Sequence, residues 1–545
     1  MKLNGNIVDV VNKQIFYGTL IIEGKRIVDI VKKGTNPKEK ESFILPGLID
    51  SHVHIESSML IPQRFAELAV KNGTVAVVSD PHEIANVLGE EGVLFMIENS
   101  KKSYLKFYFG VPSCVPATNF ETSGAVLDSK IVKKLLARND LFFLAEMMNY
   151  PGVINEDSEV LKKIEFAKEL NKKIDGHAPG LRGDDLKKYI KFGIDTDHEA
   201  FSLEEAEEKI KLGMKIIIRE GSAAKNFDEL YPLIDKYPDK VMLCTDDSHP
   251  DDLLKGHINK IIKKGLSKNL NFFNILRAAT LNPKLHYNLD TCLLRIGDPA
   301  DFIIVDNLGN FNIIATFING VKVYDYKQGS IDTEVQKKPI NKFNIDFITI
   351  EDIRVKKDSE KIRVIIAQDK QLITDVSITN ATVDDDFVVS DVKRDILKIV
   401  VINRYNRRAN LGIGFIKGFG LKRGAIASTI AHDSHNIIAI GCSDNEIVNA
   451  VNKIIEMQGG IVVYDGDNNY LSLKLNYGGL MTDIDGALLS SKYKELKNFI
   501  NKLGSKLNSP FMTLSFMALP VIPKLKITDF GLFDSEKFKK VDLFV

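Results

Sequence analysis

The segment Leu45-Pro46-Gly47-Leu48-Ile49-Asp50-Ser51-His52-Val53-His54 carries the strongest structural signal in this chain. An apolar run, residues 44–49, leads into two histidines that are separated by a single residue. If that run enters as a β-strand, residues two apart project from the same face, so both imidazoles can bind one metal ion. A lone His-x-His pair is often a chance occurrence, so this interpretation depends on what the rest of the chain supplies.

Further polar side chains of the metal-binding kind follow other short apolar runs: Glu146, His177, His198 and Asp246. Together with His52 and His54 they make four histidines and two carboxylates, enough for two metal ions about 3.5–4 Å apart. In such a site Glu146 can bridge the ions, and Asp246 can be both ligand and proton carrier. Imidazole with carboxylate suits zinc, iron and manganese alike.

The region between residues 48 and 247 alternates strand-like runs with longer amphipathic stretches, as βαβ units of a parallel sheet do. Eight strands close a TIM-type (β/α)8 barrel, and we predict them at residues 44–49, 74–79, 106–111, 141–147, 173–177, 193–198, 214–220 and 241–246. Helices are predicted at 62–71, 129–137, 160–171, 184–192, 203–212 and 253–264. Reactive groups of such barrels lie at the C-terminal ends of strands, where all six candidate ligands fall.

The sequence on either side of the barrel indicates two further domains. Residues 1–46 and 295–340 have β character and are predicted to form one small flanking β-sandwich domain beside the barrel, which spans 47–294. Residues 341–545 are predicted to form a C-terminal α/β domain. The glycine-rich stretch 418–424 misses the dinucleotide-binding spacing, so we interpret it as a turn.

Composition narrows the possible partners. Of the 545 residues, 73 are Lys or Arg and 73 are Asp or Glu, so the formal net charge is zero. A neutral chain provides no field that attracts nucleic acid or an anionic membrane, and we expect neither as a partner. No stretch of about 20 apolar residues and no signal core are present, so a cytoplasmic protein is expected. A homodimer is the commonest assembly among oligomeric proteins, and we expect one here.

The ordered motifs resemble the amidohydrolase superfamily, through His52-x-His54, His177, His198 and Asp246. Glu-Met-Met-Asn-Tyr-Pro-Gly-Val at 146–153 and His-Ile-Glu-Ser-Ser at 54–58 are similar to its adenine deaminase family, in which a glutamate replaces the carboxylated lysine of many other members. The segment Ala-His-Asp-Ser-His-Asn at 431–436 is similar to that family's additional C-terminal domain. The resemblance covers nearly the whole chain.

This resemblance implies hydrolysis of adenine to hypoxanthine and ammonia, in purine salvage, by a hydroxide that bridges two divalent ions. Manganese or iron is the metal expected, with zinc possible. Glu56 and Glu220 are then candidates for holding or protonating ring nitrogens, and His82 and Glu83 for supporting the ligands or binding an additional ion. His432, Asp433 and His435 are candidates for closing the pocket over the substrate, for a third metal position, or for a hydrogen bond to the purine.

Three other interpretations deserve comparison. A hydrolase of cyclic amides or imides, like dihydroorotase or hydantoinase, would use the same ligands and bind a substrate carboxylate through a basic residue, for which Arg219 is the candidate. A mononuclear zinc deaminase is excluded because no P-C-x-x-C motif follows His54-Ile55-Glu56. A non-catalytic scaffold is disfavoured because every expected ligand position is filled. His257 and His286 are expected to be structural.

Overall fold

A closed ring of eight parallel strands forms the centre of the molecule. The computed structural model describes residues 1–222, 224–331, 334–335, 338–369, 371–407 and 410–545. The ring strands are β1 (Leu48–Val53), β2 (Thr74–Ser79), β3 (Lys106–Val111), β4 (Phe143–Met147), β5 (Lys173–Gly176), β6 (Thr196–Asp197), β7 (Lys215–Arg219) and β8 (Val241–Cys244).

Backbone hydrogen bonds close this ring. Strands β1–β5 form one sheet and β6–β8 another. The two sheets meet between β8 and β1, where the Asp246 N–H donates to the His52 carbonyl (3.0 Å) and the His54 N–H donates to the Asp246 carbonyl (3.3 Å). Between β5 and β6 the Asp195 N–H donates to the Ile174 carbonyl (3.4 Å). The predicted (β/α)8 barrel is therefore confirmed.

The first predicted strand is divided at Gly47. Residues Phe43–Pro46 join the flanking sheet, and β1 begins only at Leu48. A Cβ atom at Gly47 would lie 2.3 Å from Val75, so only glycine allows the chain to pass this close to β2. The prediction of a strand at 44–49 was wrong in its boundaries, and His52 lies inside the strand that follows.

Helices follow the barrel strands, and each predicted helical segment overlaps at least one of them, although the segment predicted at 253–264 is divided between two helices. Their bounds are Pro62–Lys71, His82–Leu88, Glu90–Ser100, Ser129–Leu136, Tyr150–Ile154, Ser158–Glu169, Gly183–Lys191, Leu203–Lys211, Phe227–Leu230, Pro232–Lys236, Pro250–Leu253, Ile258–Ser267, Phe272–Ala278 and Leu281–Tyr287. The segment His82–Leu88 was not predicted as a helix, and it positions two candidate site residues. None of the helices in the described parts of the chain is both long and apolar enough to cross a membrane.

Strands from both sides of the barrel sequence form one flanking sheet. Phe43–Pro46 pairs in parallel with Lys2–Asp9 and antiparallel with Phe302–Val305, which joins the two halves. The remaining strands of this sheet are Gln14–Glu23, Arg26–Lys32, Ile313–Ile318, Val321–Asp325 and Gly329–Ser330.

The C-terminal region contains a second eight-stranded sheet: Lys361–Ile366, Asp375–Asn380, Ile396–Ile402, Leu411–Lys417, Ala425–Ser428, Ile437–Gly441, Gly460–Tyr464 and Tyr470–Lys474. Two smaller sheets comprise Val383–Asp384 with Phe387–Val388, and Leu525–Thr528 with Gly531–Asp534 and Lys539–Lys540. Its helices are Ile350–Ile353, Asp444–Met457, Gly486–Lys502 and Pro510–Ser515.

Direct contacts join this region to the barrel. The Tyr493 hydroxyl lies 2.5 Å from His249 Nδ1, and the Thr482 N–H donates to the Met59 carbonyl (2.8 Å). Gly486, at the start of a helix, packs against Leu68. These contacts hold the C-terminal region against the barrel rim that carries the candidate ligands.

Candidate metal centre and active site

The two histidines of the His-x-His motif point at the same position inside the barrel rim. Their Nε2 atoms are 3.1 Å apart, and Oδ1 of Asp246 lies 3.5 Å from Nε2 of His52 and 3.3 Å from that of His54. His54 Nδ1 lies 3.1 Å from the Asp80 carbonyl and donates its hydrogen there. That bond leaves the Nε2 lone pair of His54 directed into the cluster, as in metal-ligating histidines.

Glu146, at the C-terminal end of β4, lies between two groups of donors. Its Oε1 is 3.3 Å from His54 Nε2, while its Oε2 is 2.7 Å from His177 Nδ1 and 3.1 Å from His198 Nε2. One carboxylate oxygen therefore faces each group. The structure brings all six predicted ligands together, and this geometry is compatible with a bridging role for Glu146.

The donor set fits divalent cations. Two imidazole nitrogens that face each other at 3.1 Å, with the carboxylates of Glu146 and Asp246 beside them, place several lone pairs around a common point. Among the described residues that line the pocket, none is Lys and Arg219 is the one Arg, so a bound cation would help to balance the charge of the carboxylates. All of these side chains are almost completely buried except His177, which is 13% exposed.

Electrostatics favour the ionised form of both carboxylates. Burial opposes ionisation of Glu146, yet His177, His198 and His54 hold its pKa well below the usual range. Burial likewise opposes ionisation of Asp246, yet Arg219 and the motif histidines hold its pKa far below the usual value. Both carboxyl groups are therefore ionised, which is the form in which carboxylates bind metals.

Arg219 and Glu199 are site residues that the sequence did not identify in these roles. Arg219 Nη1 donates to Asp246 Oδ2 (2.8 Å), and its guanidinium also pairs with both oxygens of Glu199, at 2.9 Å from Nη2 to Oε2. Glu199 Oε1 lies 3.6 Å from His198 Nε2. The only sequence signal was position: Glu199 directly follows a ligand, and Arg219 ends a barrel strand.

Glu220 does not join the cluster. Its carboxylate accepts two hydrogen bonds from Lys264 (3.1 and 3.0 Å), on the helix Ile258–Ser267, and lies 3.7 Å from Lys225. Successive residues of a strand point to opposite sides, so Arg219 faces the site and Glu220 faces away. The expectation that Glu220 contacts a purine ring is therefore corrected.

Glu56 and Glu83 are buried next to each other beside the pocket. Glu56 accepts from the Ile84 N–H (3.1 Å) and does not line the pocket. Glu83 lines the pocket and lies 3.1 Å from the Ser57 hydroxyl, which donates to Asp247 Oδ1 (2.5 Å). Burial and repulsion from Glu83 raise the pKa of Glu56 to about 8, and burial raises that of Glu83. The structure thus places Glu83, rather than Glu56, against the substrate space.

His82 borders the metal-binding groups. Its Nδ1 lies 3.1 Å from Asp80 Oδ2 and 3.3 Å from Glu146 Oε1, and the ring packs on that of His54. Asp80 thus contacts both rings, His54 through its carbonyl and His82 through its carboxylate. These contacts fit a residue that supports the ligands.

The loop 431–436 brings His432 and Asp433 to the pocket wall. Glu83 Oε1 lies 3.5 Å from His432 Nδ1, and Glu83 Oε2 lies 3.7 Å from His435 Nε2. The Ala431 N–H donates to His435 Nδ1 (3.3 Å), so in the neutral ring Nε2 carries the hydrogen and offers no lone pair to a metal. Glu83, His432 and His435 nevertheless bring one potential ligand atom each within 4.8 Å of one another, so a third metal position at this loop stays a prediction.

Apolar side chains of the C-terminal region complete the pocket opposite the ligands: Leu372, Phe516, Leu519 and Ile522. The His432 ring stacks on Phe516 with a centroid distance of 4.3 Å. The result is a polar wall of candidate metal ligands from the barrel and a largely apolar wall from the C-terminal region. A planar heterocycle with polar edges suits such a space.

His257 and His286 lie outside the site, in line with the structural roles that we predicted for them. His257 Nε2 is 2.9 Å from Asp50 Oδ2, and the Thr245 N–H donates to Asp50 Oδ1 (3.1 Å). Buried Asp50 thereby ties β1 to the end of β8 and positions His52 and Asp246. Burial lowers the pKa of His286 to about 2 and keeps the ring neutral.

Comparison with known proteins identifies the family. Residues 43–323 match the amidohydrolase family and residues 371–539 match the adenine deaminase C-terminal domain. An adenine deaminase of Methanosarcina mazei is 55% identical over 100% of this chain and 99% of its own length. The chain belongs to the adenine deaminase family.

A second relative agrees with this family assignment. A protein of the same name from Methanosarcina barkeri is 54% identical over 99% of this chain and 98% of its own. Among solved structures, a β-aspartyl dipeptidase from Fervidobacterium islandicum AW-1 aligns over 62% of this chain and 100% of its own, with 16% identity and a TM-score of 0.47. The motif-based resemblance to the adenine deaminase family is confirmed, and membership of the amidohydrolases implies the use of divalent metal.

Proposed function

We propose that this protein deaminates adenine hydrolytically, giving hypoxanthine and ammonia. The observation that carries the proposal is the 55% identity, over the whole chain, to a relative named adenine deaminase. The pocket geometry supports it, since ligands from the barrel face an apolar wall from the region that matches the adenine deaminase C-terminal domain.

Two divalent ions are proposed as cofactors, one near His52, His54 and Asp246 and the other near His177 and His198, with Glu146 between them. When bound, such ions lower the pKa of water to about 7 and so supply a nucleophile at neutral pH. Manganese or iron is proposed as the native metal on the family resemblance, because the ligand set itself suits zinc equally.

Asp246 is proposed to move the proton. Water adds to C6 of adenine, the C6–N6 bond breaks, and the amino nitrogen leaves as ammonia after gaining a proton. Oδ2 of Asp246 is held by Arg219 (2.8 Å), which leaves Oδ1 to accept the proton of the attacking water and pass it to the leaving nitrogen.

Glu83 is proposed to serve the purine ring in place of Glu56 and Glu220. It lines the pocket, and burial raises its pKa, so it holds a proton more readily than an ordinary carboxyl group. A ring nitrogen that gains negative charge during attack at C6 can take that proton. Phe516 and Leu519 would cover the faces of the ring and exclude water.

A cyclic amide hydrolase is less well supported. Such an enzyme needs a cation for the carboxylate of its substrate, and Arg219 is the only Lys or Arg among the described residues that line the pocket. Its guanidinium is already paired with Glu199 and Asp246. A second anion would have to displace one of these partners.

The metabolic role, cellular location and oligomeric state are inferred from the sequence. We propose a role in purine salvage because the reaction would return adenine to the hypoxanthine pool. Cytoplasmic location and a homodimer stay predictions from the sequence.

The decisive experiment measures ammonia release by the manganese-loaded protein. Adenine, adenosine, cytosine and guanine are each tested, with a dihydropyrimidine assayed for ring opening. Ammonia from adenine alone is expected. Ring opening of the dihydropyrimidine, with no ammonia from any base, would instead assign the protein to the amide hydrolases.

A further inference from the structure

Asp433 has a carboxylate oxygen that the protein itself leaves unused. The side chain lines the pocket from the C-terminal region and is only 3% exposed. Within the described residues, Oδ2 has no hydrogen-bond partner. His82 Nε2 lies 3.8 Å from it, too far for a hydrogen bond. An unpartnered buried acceptor costs free energy, so its position indicates a donor that comes from the ligand.

The surroundings of Asp433 restrict what that donor can be. Oδ1 of Asp433 lies 3.6 Å from His432 Nδ1, and the His432 ring stacks on Phe516. Leu372 and Leu519 line the same side of the pocket. The carboxylate thus stands at the border of an apolar wall that suits the faces of a planar ring, where it can meet an N–H at the ring's edge.

The His82 ring lies between Asp433 and the candidate metal ligands: its Nδ1 is 3.3 Å from Glu146 Oε1 and its Nε2 is 3.8 Å from Asp433 Oδ2. In the proposed reaction the carbon attacked by water lies at the barrel wall, beside Glu146 and Asp246. Asp433 lines the pocket from the C-terminal region, and the width of the His82 ring separates its carboxylate from Glu146. The ring edge that reaches Asp433 is therefore the edge away from the reacting carbon.

We propose that Asp433 accepts a hydrogen bond from the imidazole-ring N–H of the purine and thereby selects the free base over N9-substituted purines. This inference rests on the proposed function. Adenine carries one imidazole N–H in either of its ring tautomers, whereas a nucleoside or a 9-alkyl purine carries none. An ionised carboxylate accepts and never donates, so such a site rejects an analogue that lacks the hydrogen.

The test compares adenine with 9-methyladenine in wild type, Asp433→Ala and Asp433→Asn. For Asp433→Ala, kcat/KM for adenine should fall about 10–100-fold, mainly through KM, as expected for a lost hydrogen bond to a charged group. The inhibition constant of 9-methyladenine should stay the same or fall, because this ligand has no imidazole N–H to donate and the variant lacks the carboxylate that such a ligand leaves unpaired. Asp433→Asn keeps an accepting oxygen and should be intermediate.

Glu121→Gln provides the matched control. Glu121 lies near the same loop and accepts from Thr118, but it does not line the pocket. The Glu121→Gln variant should have the same ratio of adenine affinity to 9-methyladenine affinity as the wild type. Equal weakening of both ligands by Asp433→Ala, or loss of bound metal from that variant, would overturn the inference. Failure of the proposed function looks different: wild type itself would release no ammonia from adenine.

Discussion

Arg219 and Asp246 form a buried ion pair at the ends of two neighbouring barrel strands, with 2.8 Å between Nη1 and Oδ2. The pair leaves Asp246 Oδ1 facing the two histidines of the motif. Burial alone would lower the pKa of Arg219, yet Glu199 and Asp246 keep the guanidinium charged. One cation therefore fixes the orientation of the residue to which we assign proton transfer.

Asp246→Asn should remove proton transfer while an amide oxygen remains available for metal. We expect kcat for adenine to fall by at least about 100-fold, the usual magnitude for lost acid–base catalysis. Metal content, measured by inductively coupled plasma mass spectrometry, should stay close to that of the wild type. An active variant would remove Asp246 from the mechanism.

Arg219→Gln and Glu220→Gln should behave differently although the residues are adjacent. The first variant removes a charge-assisted hydrogen bond to Asp246, and kcat should fall about 10–100-fold. The second weakens the ion pairs with Lys264 and Lys225, which lie outside the site, so activity should stay within about 2-fold and the free energy of unfolding should fall by about 1 kcal/mol. Steady-state kinetics and denaturant titration distinguish them. Equal losses of activity would contradict the assignment of faces on β7.

Glu146→Gln should disturb both proposed ions, whereas His177→Asn should disturb one. The reason is geometric, because Glu146 presents one oxygen to His54 and the other to His177 and His198. Equilibrium dialysis against manganese should give about two ions per chain for the wild type. We expect retention of one tight ion in His177→Asn and weakening of both in Glu146→Gln. Two undisturbed ions in Glu146→Gln would rule out the bridging role.

Lys526 should make stability depend on pH. It is completely buried, donates to the carbonyls of Leu372 (2.7 Å) and Phe516 (3.0 Å), and burial lowers its pKa to about 7. Between pH 7 and about 10.4, the ordinary lysine value, the unfolded chain binds more protons than the folded chain. Stability from this group therefore rises with pH across that window and is lowest below pH 7.

Lys526→Met is the control variant for this effect. The other titrating groups contribute equally to wild type and variant, so they cancel when the two free energies of unfolding are subtracted. From pH 7 to pH 9.5 the wild type should gain about 3 kcal/mol relative to the variant, as the linkage relation gives for these two pKa values. Denaturant titration at both pH values measures the gain. A difference that does not change with pH would show that Lys526 keeps its charge in the folded protein.

The positions of the candidate ligands at strand ends were predictable from sequence because two simple rules apply to them. Alternate residues of a strand share a face, and the C-terminal ends of parallel strands meet at one rim. His52, His54, Glu146 and Asp246 needed nothing further to be placed together. The barrel fold was likewise predictable from the alternation of strand-like and helical segments.

For residues at the end of a strand, it was harder to predict whether the side chain points towards the site or away from it. Arg219 and Glu220 are consecutive and polar, and a shift of one residue reverses which of them points inward. The sequence favoured Glu220 for its chemistry, but packing put it against Lys264. Glu199 was overlooked for a similar reason, since nothing local shows that it reaches Arg219 across 20 residues.

The sequence by itself determined the barrel, the ligand types and the rim at which they meet, since each depends on contacts within one strand or between successive βα units. Only the tertiary structure decided what covers that rim. The residues that cover it, Leu372, Asp433 and Phe516, lie more than a hundred residues beyond the last candidate ligand, Asp246, and no local pattern encodes so distant a contact. Their positions follow from how the C-terminal region packs on the barrel, an outcome of summed surface complementarity rather than of any motif.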